Sequence, residues 1–259
     1  MKIIADIGSN WHSLDDCIES IETLGRMKVD YAKFQFYTYE KLYGKPGSLT
    51  HELPSDWLKT LKRCCDDNDI GFMCSVFDDD DVAVIDPLVD IHKVASAEVS
   101  HMPLLKKLHR TGKDVLVSTG CASVDDLDRA YVTLGEYFIP MACTMDYPAT
   151  EQPILQSIWL TDKYGQDCWI GYSDHTLDTY AGMFHATLLC EYYERHFSLD
   201  RITGTPDKKH SISEKQFKDM MRFKLKHIDT GNMGFKWKER QHIAKRVKTK
   251  LGFFRPEPE

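Results

Sequence analysis

The chain has 259 residues, of which 42% are hydrophobic and 28% are charged, and its formal net charge is −7. This composition is typical of a globular protein rather than a disordered one, and the negative charge argues against a nucleic-acid partner, because phosphate contacts need a surplus of Lys and Arg. No apolar run approaches the roughly 18 residues that span a bilayer, so no membrane partner is expected.

Short β-branched or apolar runs recur along the chain, separated by segments with helical periodicity. Leu14, Ile18 and Ile21 show this helical spacing, and Ser55, Ser123 and Thr176 are predicted to cap the amino ends of later helices. The predicted strands are residues 2–8, 31–36, 71–77, 91–96, 114–120, 137–144, 168–175 and 192–199.

An eightfold alternation of strand and helix with short connections is typical of a parallel (β/α)8 barrel (a TIM barrel) in the α/β class. An open doubly wound sheet also alternates, but it normally carries a glycine-rich phosphate loop after an early strand. The segment Gly8-Ser9-Asn10 is too sparse in glycine for that loop. We therefore predict a barrel over residues 1–234.

The pattern changes after the eighth predicted strand. Residues 211–231 are predicted to form the last barrel helix, beginning at Ser211 or Ser213. Residues 235–259 form a basic tail, interpreted as a solvated amphipathic helix with a frayed end. A docking segment for a second subunit is the alternative.

The eight cysteines show no Cys-x-x-Cys pair and no regular spacing. The first predicted strand begins at Lys2, which leaves no room for a signal peptide before it. Together these features predict reduced, mostly buried thiols in a cytoplasmic protein. A zinc site formed by cysteines is the alternative.

Polar side chains occur at the carboxyl end of every predicted strand, where barrels of this kind build their active sites. Lys33 and Gln35 are two residues apart, so both point to the same side of their strand. Two lysines, Lys33 and Lys93, combined with serine hydroxyls suit a phosphate or a carboxylate. The alternative is an ordinary interior polar layer satisfied by hydrogen bonds. The polar set comprises Asp6, Lys33, Gln35, Ser75, Lys93, Ser96, Glu98, Ser118, Tyr147, Ser173, Asp174 and Glu194.

His175 and His196 lie at the ends of the adjacent seventh and eighth strands, so their rings can converge on one ion. Two imidazoles with open coordination positions suit a catalytic Mn²⁺, Fe²⁺ or Zn²⁺. A hydrogen-bonded bystander role is the alternative for each. The other histidines, including His12, His101 and His185, are interpreted as structural or surface residues.

The same segments resemble the sialic acid (nonulosonate) synthase family from about residue 3 to residue 230. Seven segments carry the resemblance: Ile4 to Asn10, Ala32-Lys33-Phe34-Gln35, Lys93-Val94-Ala95-Ser96-Ala97-Glu98, Ser118-Thr119-Gly120, Cys143-Thr144 with Tyr147-Pro148, Gly171 to Leu177, and Glu194-Arg195-His196-Phe197. The Ser-Asp-His-Thr and Glu-Arg-His-Phe pair is the most specific of them.

The resemblance implies condensation of phosphoenolpyruvate with an amino-sugar aldose, such as N-acetylmannosamine, to a nonulosonic acid and phosphate. It implies a divalent metal at His175 and His196, Mn²⁺ first, with Mg²⁺ or Co²⁺ as alternatives. Phosphoenolpyruvate would be held by Lys33, Lys93, Ser96, Ser118 and Ser173. Catalysis would fall to Glu98, Glu194, Gln35 and Asp6, while the aldose would contact Asp6, Tyr147, Asp174 and Asp207.

Three departures from the family pattern concern the aldose side. Asp6 stands where the family usually has Glu, the loop Asn10-Trp11-His12-Ser13 lacks the family's glycine, and Met145 replaces a polar residue. The acceptor could therefore differ from N-acetylmannosamine. A barrel that uses another aldehyde and a non-catalytic binding barrel both remain open.

Many family members also carry a C-terminal antifreeze-like domain whose arginine reaches a partner subunit's sugar. The sequence up to Glu259 contains no match to it. A homodimer, or a separate partner that supplies the domain, is the expectation.

Overall fold

The computed structural model describes residues 1–224, in which parallel strands close into a barrel in chain order. All eight predicted strands and the (β/α)8 fold are confirmed, although most strands end earlier than predicted. Their bounds are β1 (Lys2–Asp6), β2 (Tyr31–Phe36), β3 (Gly71–Val76), β4 (His92–Val94), β5 (Val115–Ser118), β6 (Phe138–Ala142), β7 (Gly171–Asp174) and β8 (Tyr192–His196).

Helices follow each strand and cover the outside of the barrel. In the described part of the chain they are α1 (Leu14–Arg26), α2 (Tyr39–Tyr43), α3 (Leu58–Asp67), α4 (Val82–Ile85), α5 (Met102–His109), α6 (Val124–Leu134), α7 (Ile154–Tyr164), α8 (Ala181–Leu189) and α9 (Glu214–Lys224). The short α2 belongs to a long connection between β2 and α3.

One of the three predicted helix caps is confirmed. Ser123 accepts a hydrogen bond from the amide of Asp126, whose carboxylate accepts one in return, a reciprocal capping box. The prediction for Ser55 was wrong, because this residue begins a 3-10 turn and makes no capping hydrogen bond. Thr176 was also wrong, since α8 begins only at Ala181, and Asp178 accepts from the first amides instead.

The inside of the barrel is filled in two layers. The lower layer is a closed apolar cluster of Ile4, Met73, Ile91, Leu116, Ile139 and Met141. Strand side chains alternate between faces. The positions two residues beyond Ile4, Met73, Ile91, Leu116 and the partly buried Tyr31 and Tyr192 therefore also point inward, and they carry Asp6, Ser75, Lys93, Ser118, Lys33 and Glu194, all buried. A larger apolar cluster packs the strands against the helices. The upper, polar layer therefore lies at the carboxyl end of the strands, directly above the closed apolar layer.

The last predicted helix is described only in part. It starts at Glu214 and is described to Lys224, while residues 225–231, like the basic tail 235–259, lie outside the described residues. No helix within residues 1–224 is long and apolar enough to cross a membrane.

Candidate active site

A cavity opens at the carboxyl end of the barrel, and we call the residues that line it the polar cup. Inward-facing side chains from the strands and the turns that follow them form its wall. The polar cup consists of Asp6, Lys33, Gln35, Ser75, Phe77, Lys93, Ala95, Ser96, Ser118, Tyr147, Ser173, His175, Glu194 and His196. Most of the predicted site residues are thus brought together around one space.

The two lysines are the cations of the polar cup, and each is almost completely buried. Lys33 Nζ lies 2.6 Å from Asp6 Oδ2 and 3.3 Å from Ser75 Oγ. Lys93 Nζ donates to Ser118 Oγ at 2.7 Å. Both ammonium groups face hydroxyls on neighbouring strands, so an anion entering the cavity meets charge and hydrogen-bond donors together.

The lysines differ in their counter-charges. Burial acts to lower the pKa of Lys33, but the carboxylates of Asp6 and Glu194 overcome it, and the net pKa is raised. Burial also lowers the pKa of Lys93, where Glu194 compensates only partly and the charge of Lys33 adds to the lowering. The positive charge of Lys93 is therefore less fully balanced by neighbouring carboxylates than that of Lys33.

Glu194 lies between the lysines. Its Oε1 accepts from Ser173 Oγ at 2.9 Å and lies 3.7 Å from Lys93 Nζ, while its Oε2 lies 3.8 Å from Lys33 Nζ. Within the described residues, Oε2 is buried without a hydrogen-bond partner. Glu194 thus lines the cavity with one carboxylate oxygen that no hydrogen bond from the described residues satisfies.

His175 is held in a defined neutral form. Its Nδ1 lies 2.7 Å from the carbonyl oxygen of Thr144, which can only accept, so Nδ1 carries the proton. Its Nε2 lies 3.2 Å from Ser173 Oγ, but that single hydroxyl proton is donated to the stronger acceptor, Glu194. Burial and the nearby His196 lower the pKa of His175 to about 3. An Nε2 lone pair therefore faces the cavity at neutral pH.

His196 uses its two ring nitrogens in different directions. Nε2 lies 3.6 Å from Asp6 Oδ2, whereas Nδ1 points away from the lysines and lies 4.0 Å from Asp207 Oδ2. The rings of His175 and His196 are 5.8 Å apart between centroids. Burial lowers the pKa of His196 as well. Both histidine rings are therefore neutral, and each has a ring nitrogen that can bind a metal ion.

Tyr147 packs over these histidines at the mouth of the cavity. Its ring stacks on His175 with centroids 4.2 Å apart and meets His210 edge-on at 4.9 Å. Burial, and then nearby acidic groups including Glu194, raise the pKa of Tyr147, so the phenol stays protonated. The hydroxyl is available as a donor beside the imidazoles.

Asp207 borders the polar cup from the loop after β8. Its Oδ2 accepts from the backbone amide of Ser9 at 2.8 Å. Gly8 makes this approach feasible, because a Cβ there would lie 2.2 Å from Asp207 Oδ2, and its φ of +54° also favours glycine. Burial acts to raise the pKa of Asp207, but His210, His196 and the Ser9 amide hold it below its usual range.

Asp174, predicted to contact the aldose, is a correction. Ser173 and His175 point into the barrel, so the residue between them points outward. Its carboxylate is fully buried and accepts from Arg195, from Tyr193 Oη at 2.7 Å and from the amide of Thr176 at 2.9 Å. Asp174 therefore neutralises a buried arginine behind the strands and does not reach the cavity.

Glu98, predicted to be catalytic, also lies outside the set of residues that line the cavity. It ends the 3-10 turn after β4, where its carboxylate lies 3.7 Å from His101 Nδ1. Ser96, in the same turn, does line the cavity and accepts from the amide of Gly120 at 3.0 Å. The structure thus separates these two residues of one motif.

His210 was missed at the sequence level. It is 5% exposed, lies on the loop after β8, and packs edge-on against His196 with ring centroids 4.5 Å apart. Its Nε2 lies 3.4 Å from Asp207 Oδ1. No strand pattern marks this position, and only its separation of three residues from Asp207 hints at a shared site.

The donors around the mouth of the cavity fit a divalent cation. His175 and His196 supply neutral imidazole nitrogens, and Asp6 Oδ1 and Glu194 Oε2 are buried oxygens without a hydrogen-bond partner among residues 1–224. Imidazole combined with carboxylate is a donor set used for Mn²⁺, Fe²⁺ and Zn²⁺. The lysines beside them suit an anionic ligand of the same ion.

The fold and this arrangement define a class of protein: a parallel barrel with an anion-binding and metal-compatible site at the carboxyl end of its strands. Comparison with known proteins identifies the family within this class. Residues 20–230 match the model of the NeuB family. The chain belongs to the NeuB family.

Two curated relatives and one solved structure illustrate this kinship. The chain is 26% identical to the spore coat polysaccharide biosynthesis protein SpsE of Bacillus subtilis over 85% of this chain and 65% of that protein. It is 30% identical to the N,N'-diacetyllegionaminic acid synthase of Campylobacter jejuni over 61% of this chain and 48% of that protein. The chain thus spans between about half and two thirds of these relatives' lengths.

The fold is shared with the N-acetylneuraminic acid (sialic acid) synthetase of Leptospira borgpetersenii. The TM-score is 0.78, with 22% sequence identity over 99% of this chain and 87% of that one. At this identity the comparison supports the barrel fold alone.

Proposed function

We propose that this chain catalyses the condensation of phosphoenolpyruvate with an amino-sugar aldose to a nonulosonic acid and inorganic phosphate. The observation that carries the proposal is the pair of buried lysines, Lys33 and Lys93, facing serine hydroxyls beside two neutral imidazoles. A small, multiply charged anion next to a carbonyl compound is the ligand such a site would select. Kinship with a named sugar-acid synthase supports the same reading.

In this proposal the anionic substrate occupies the lysine side of the polar cup. Lys33 and Lys93 bind its phosphate and carboxylate, and the hydroxyls of Ser96, Ser118 and Ser173 complete the hydrogen bonds. These groups are fixed by neighbouring strands, so they need little reorganisation as charge moves during the reaction. The more weakly compensated ammonium of Lys93 gains most from the incoming anion.

The aldose would lie on the histidine side, against Tyr147, Asp207, Gln35 and Asp6. A divalent cation held by His175 and His196, with Mn²⁺ as the proposed ion, would polarise the aldehyde oxygen when bound. C3 of the enol phosphate then forms a bond to the aldehyde carbon, and water adds at C2 to give a tetrahedral intermediate that releases phosphate. Glu194, which lines the cavity, takes up and returns the protons of that water.

The first experiment is phosphate release from phosphoenolpyruvate with Mn²⁺ across a panel of N-acetylated and diamino aldoses. We expect release with one class of sugar and its loss on chelation. Binding of phosphoenolpyruvate without release on any sugar would contradict the proposal and favour a binding barrel.

The role of Glu194 is tested by Glu194→Gln, which should lower kcat by roughly 10²- to 10⁴-fold, the usual contribution of a general acid-base group. Glu191→Gln is the matched control, since Glu191 directly precedes β8 at the opposite end of the barrel and pairs with the amino terminus. Equal activity of the two variants would remove Glu194 from the mechanism.

A further inference from the structure

An apolar surface lies on the outside of the barrel, on the neighbouring helices α7 and α8. Its five large side chains are between 36% and 54% exposed, and we call them the α7–α8 face: Ile154, Leu155, Trp159, Tyr180 and Phe184. The outer side of a barrel helix normally carries polar residues. Single exposed apolar residues are ordinary, but a contiguous apolar patch marks an interaction site.

The five side chains form one continuous surface. A spacing of four residues separates Leu155 from Trp159 in α7, and Tyr180 from Phe184 at the start of α8, so each pair lies on one side of its helix. The two helices also begin side by side. Gln152, just before α7, accepts a hydrogen bond at 2.7 Å from a backbone amide in the first turn of α8, in the amide orientation that satisfies both ends of its side chain.

The last described helix ends beside this face. Phe223, in the final turn of α9, lies edge-on to Tyr180 with ring centroids 5.9 Å apart. The ten residues 225–234 can extend over at most about 33–36 Å, whereas packed neighbouring helices are only about 8–10 Å apart. The sequence that follows Gly234 can therefore reach every part of the α7–α8 face.

That sequence has an apolar pattern of its own. Phe235 and Trp237 are followed by Ile243, Val247 and Leu251 at intervals of four residues, the spacing of an amphipathic helix. Residues 225–259 contain nine Lys and Arg against four Asp and Glu, so the acidic excess of the whole chain lies in residues 1–224.

The surroundings of the α7–α8 face are acidic. Glu151 and Asp178, just before the two helices, are both exposed. Lys163 lies over the ring of Trp159, but it already pairs with Asp128. A basic amphipathic segment is thus complementary to this face in charge as well as in apolar character.

We propose that residues 235–254 pack on the α7–α8 face of the same chain as an amphipathic helix, with Ile243, Val247 and Leu251 turned towards it. An amphipathic helix laid against an apolar surface is a common mode of recognition. Because the segment is tethered to α9, its effective concentration at the face is roughly millimolar, and it therefore excludes a second copy of the chain. The proposal is independent of the proposed reaction, since these helices lie outside the polar cup.

The test is photo-cross-linking in the full chain. The photoreactive residue p-benzoylphenylalanine replaces Phe184 in one preparation and Val132 in a control, because Val132 is an 81% exposed apolar residue on α6. Chains labelled with ¹⁵N and unlabelled chains are mixed before irradiation, and the joined peptides are identified by mass spectrometry. We expect position 184 to join to residues 235–254 within one isotopic form, and position 132 to give no such product.

A charge placed on the segment provides the second measurement. Val247→Asp should lower the yield of the intrachain product by roughly tenfold, because a carboxylate forfeits the burial of the valine side chain. Thr249→Asp adds the same charge on the opposite side of the predicted helix and should leave the yield close to that of the wild type. Equal yields from the two variants would refute the apolar contact.

Two results of the cross-linking would overturn the proposal. Products that join differently labelled chains would show that the face is an interface between two copies. The absence of any product with residues 235–254 would show that the segment lies elsewhere. Neither result depends on phosphate release, so failure of this proposal and failure of the proposed reaction are distinguishable.

Discussion

The buried pair of Asp174 and Arg195 gives the sharpest prediction about stability. Asp174 is fully buried and Arg195 is 1% exposed. Asp174→Asn keeps an oxygen for the Thr176 amide, which donates to Oδ1 at 2.9 Å, but it removes the charge that balances the guanidinium. Breaking a buried ion pair from one side costs about 3–5 kcal/mol, because it leaves the other charge uncompensated.

Urea unfolding followed by circular dichroism measures that loss. With an m value of about 3 kcal/mol per M, the midpoint should fall by about 1 M or more. Asp128→Asn is the matched control, since Asp128 pairs with Lys163 with its side chain 48% exposed, and such surface pairs are worth at most about 1 kcal/mol. Adding Arg195→Met to Asp174→Asn should restore much of the stability, because the unpaired charge is then gone.

The same variant tests the position of Asp174 relative to the substrate. If the carboxylate lies behind the strands, KM for the aldose should be unchanged in a folded Asp174→Asn protein. A free energy of unfolding within about 1 kcal/mol of the wild type, accompanied by a raised KM, would refute the placement and return Asp174 to the sugar site.

Three further predictions concern the turn after β1, the lysine side of the polar cup and a buried histidine outside the cavity. Gly8→Ala should destabilise the chain by about 1–3 kcal/mol more than Gly44→Ala in urea unfolding. Both glycines have positive φ, but only at Gly8 would an added Cβ lie 2.2 Å from Asp207 Oδ2. Equal losses of stability would refute the clash. Lys93→Met should weaken phosphoenolpyruvate binding, measured by calorimetry, by about 10- to 150-fold, because it removes a charge-assisted hydrogen bond worth about 1.5–3 kcal/mol. Unchanged affinity would exclude Lys93 from the anion site. Burial lowers the pKa of His185 to about 4, so its stabilising contribution is complete above pH 6.5 and is lost as the pH falls towards 4. His185→Leu should therefore flatten the dependence of the unfolding free energy on pH between these values. An unchanged slope would contradict a neutral buried ring.

The barrel could be predicted from the sequence because its signals are local. Apolar, β-branched runs mark the strands, and helical periodicity marks the segments between them. Most strands were predicted too long because their last residues leave the sheet: Gly8, for example, was predicted to end the first strand but lies in the turn beside Asp207. Residues that continue the strand pattern in sequence can therefore belong to the turn that builds the site.

The anion side of the site was also predictable, since Lys33, Lys93 and Glu194 lie on strands and obey their alternation. That same alternation, applied to Ser173 and His175, would have turned Asp174 outward. His210 could not be found this way, because it reaches His196 through the fold of a loop, and loop geometry is set by long-range contacts such as those of Asn10.

Closure of the barrel has a consequence for how the protein acquires its chemistry. The amide of Ser9 holds Asp207 although the two residues are 198 positions apart in the chain, and β1 must pair with β8 to bring Asp6 beside His196. A nascent chain that has emerged only as far as β5 already carries both lysines but lacks β7, β8 and the loop that completes the mouth of the cavity. Contacts of such long range form late and slowly. Metal capture by His175 and His196, at the ends of β7 and β8, would therefore be a marker of completed synthesis and folding, and an ion bound there would stabilise the closed ring against reopening.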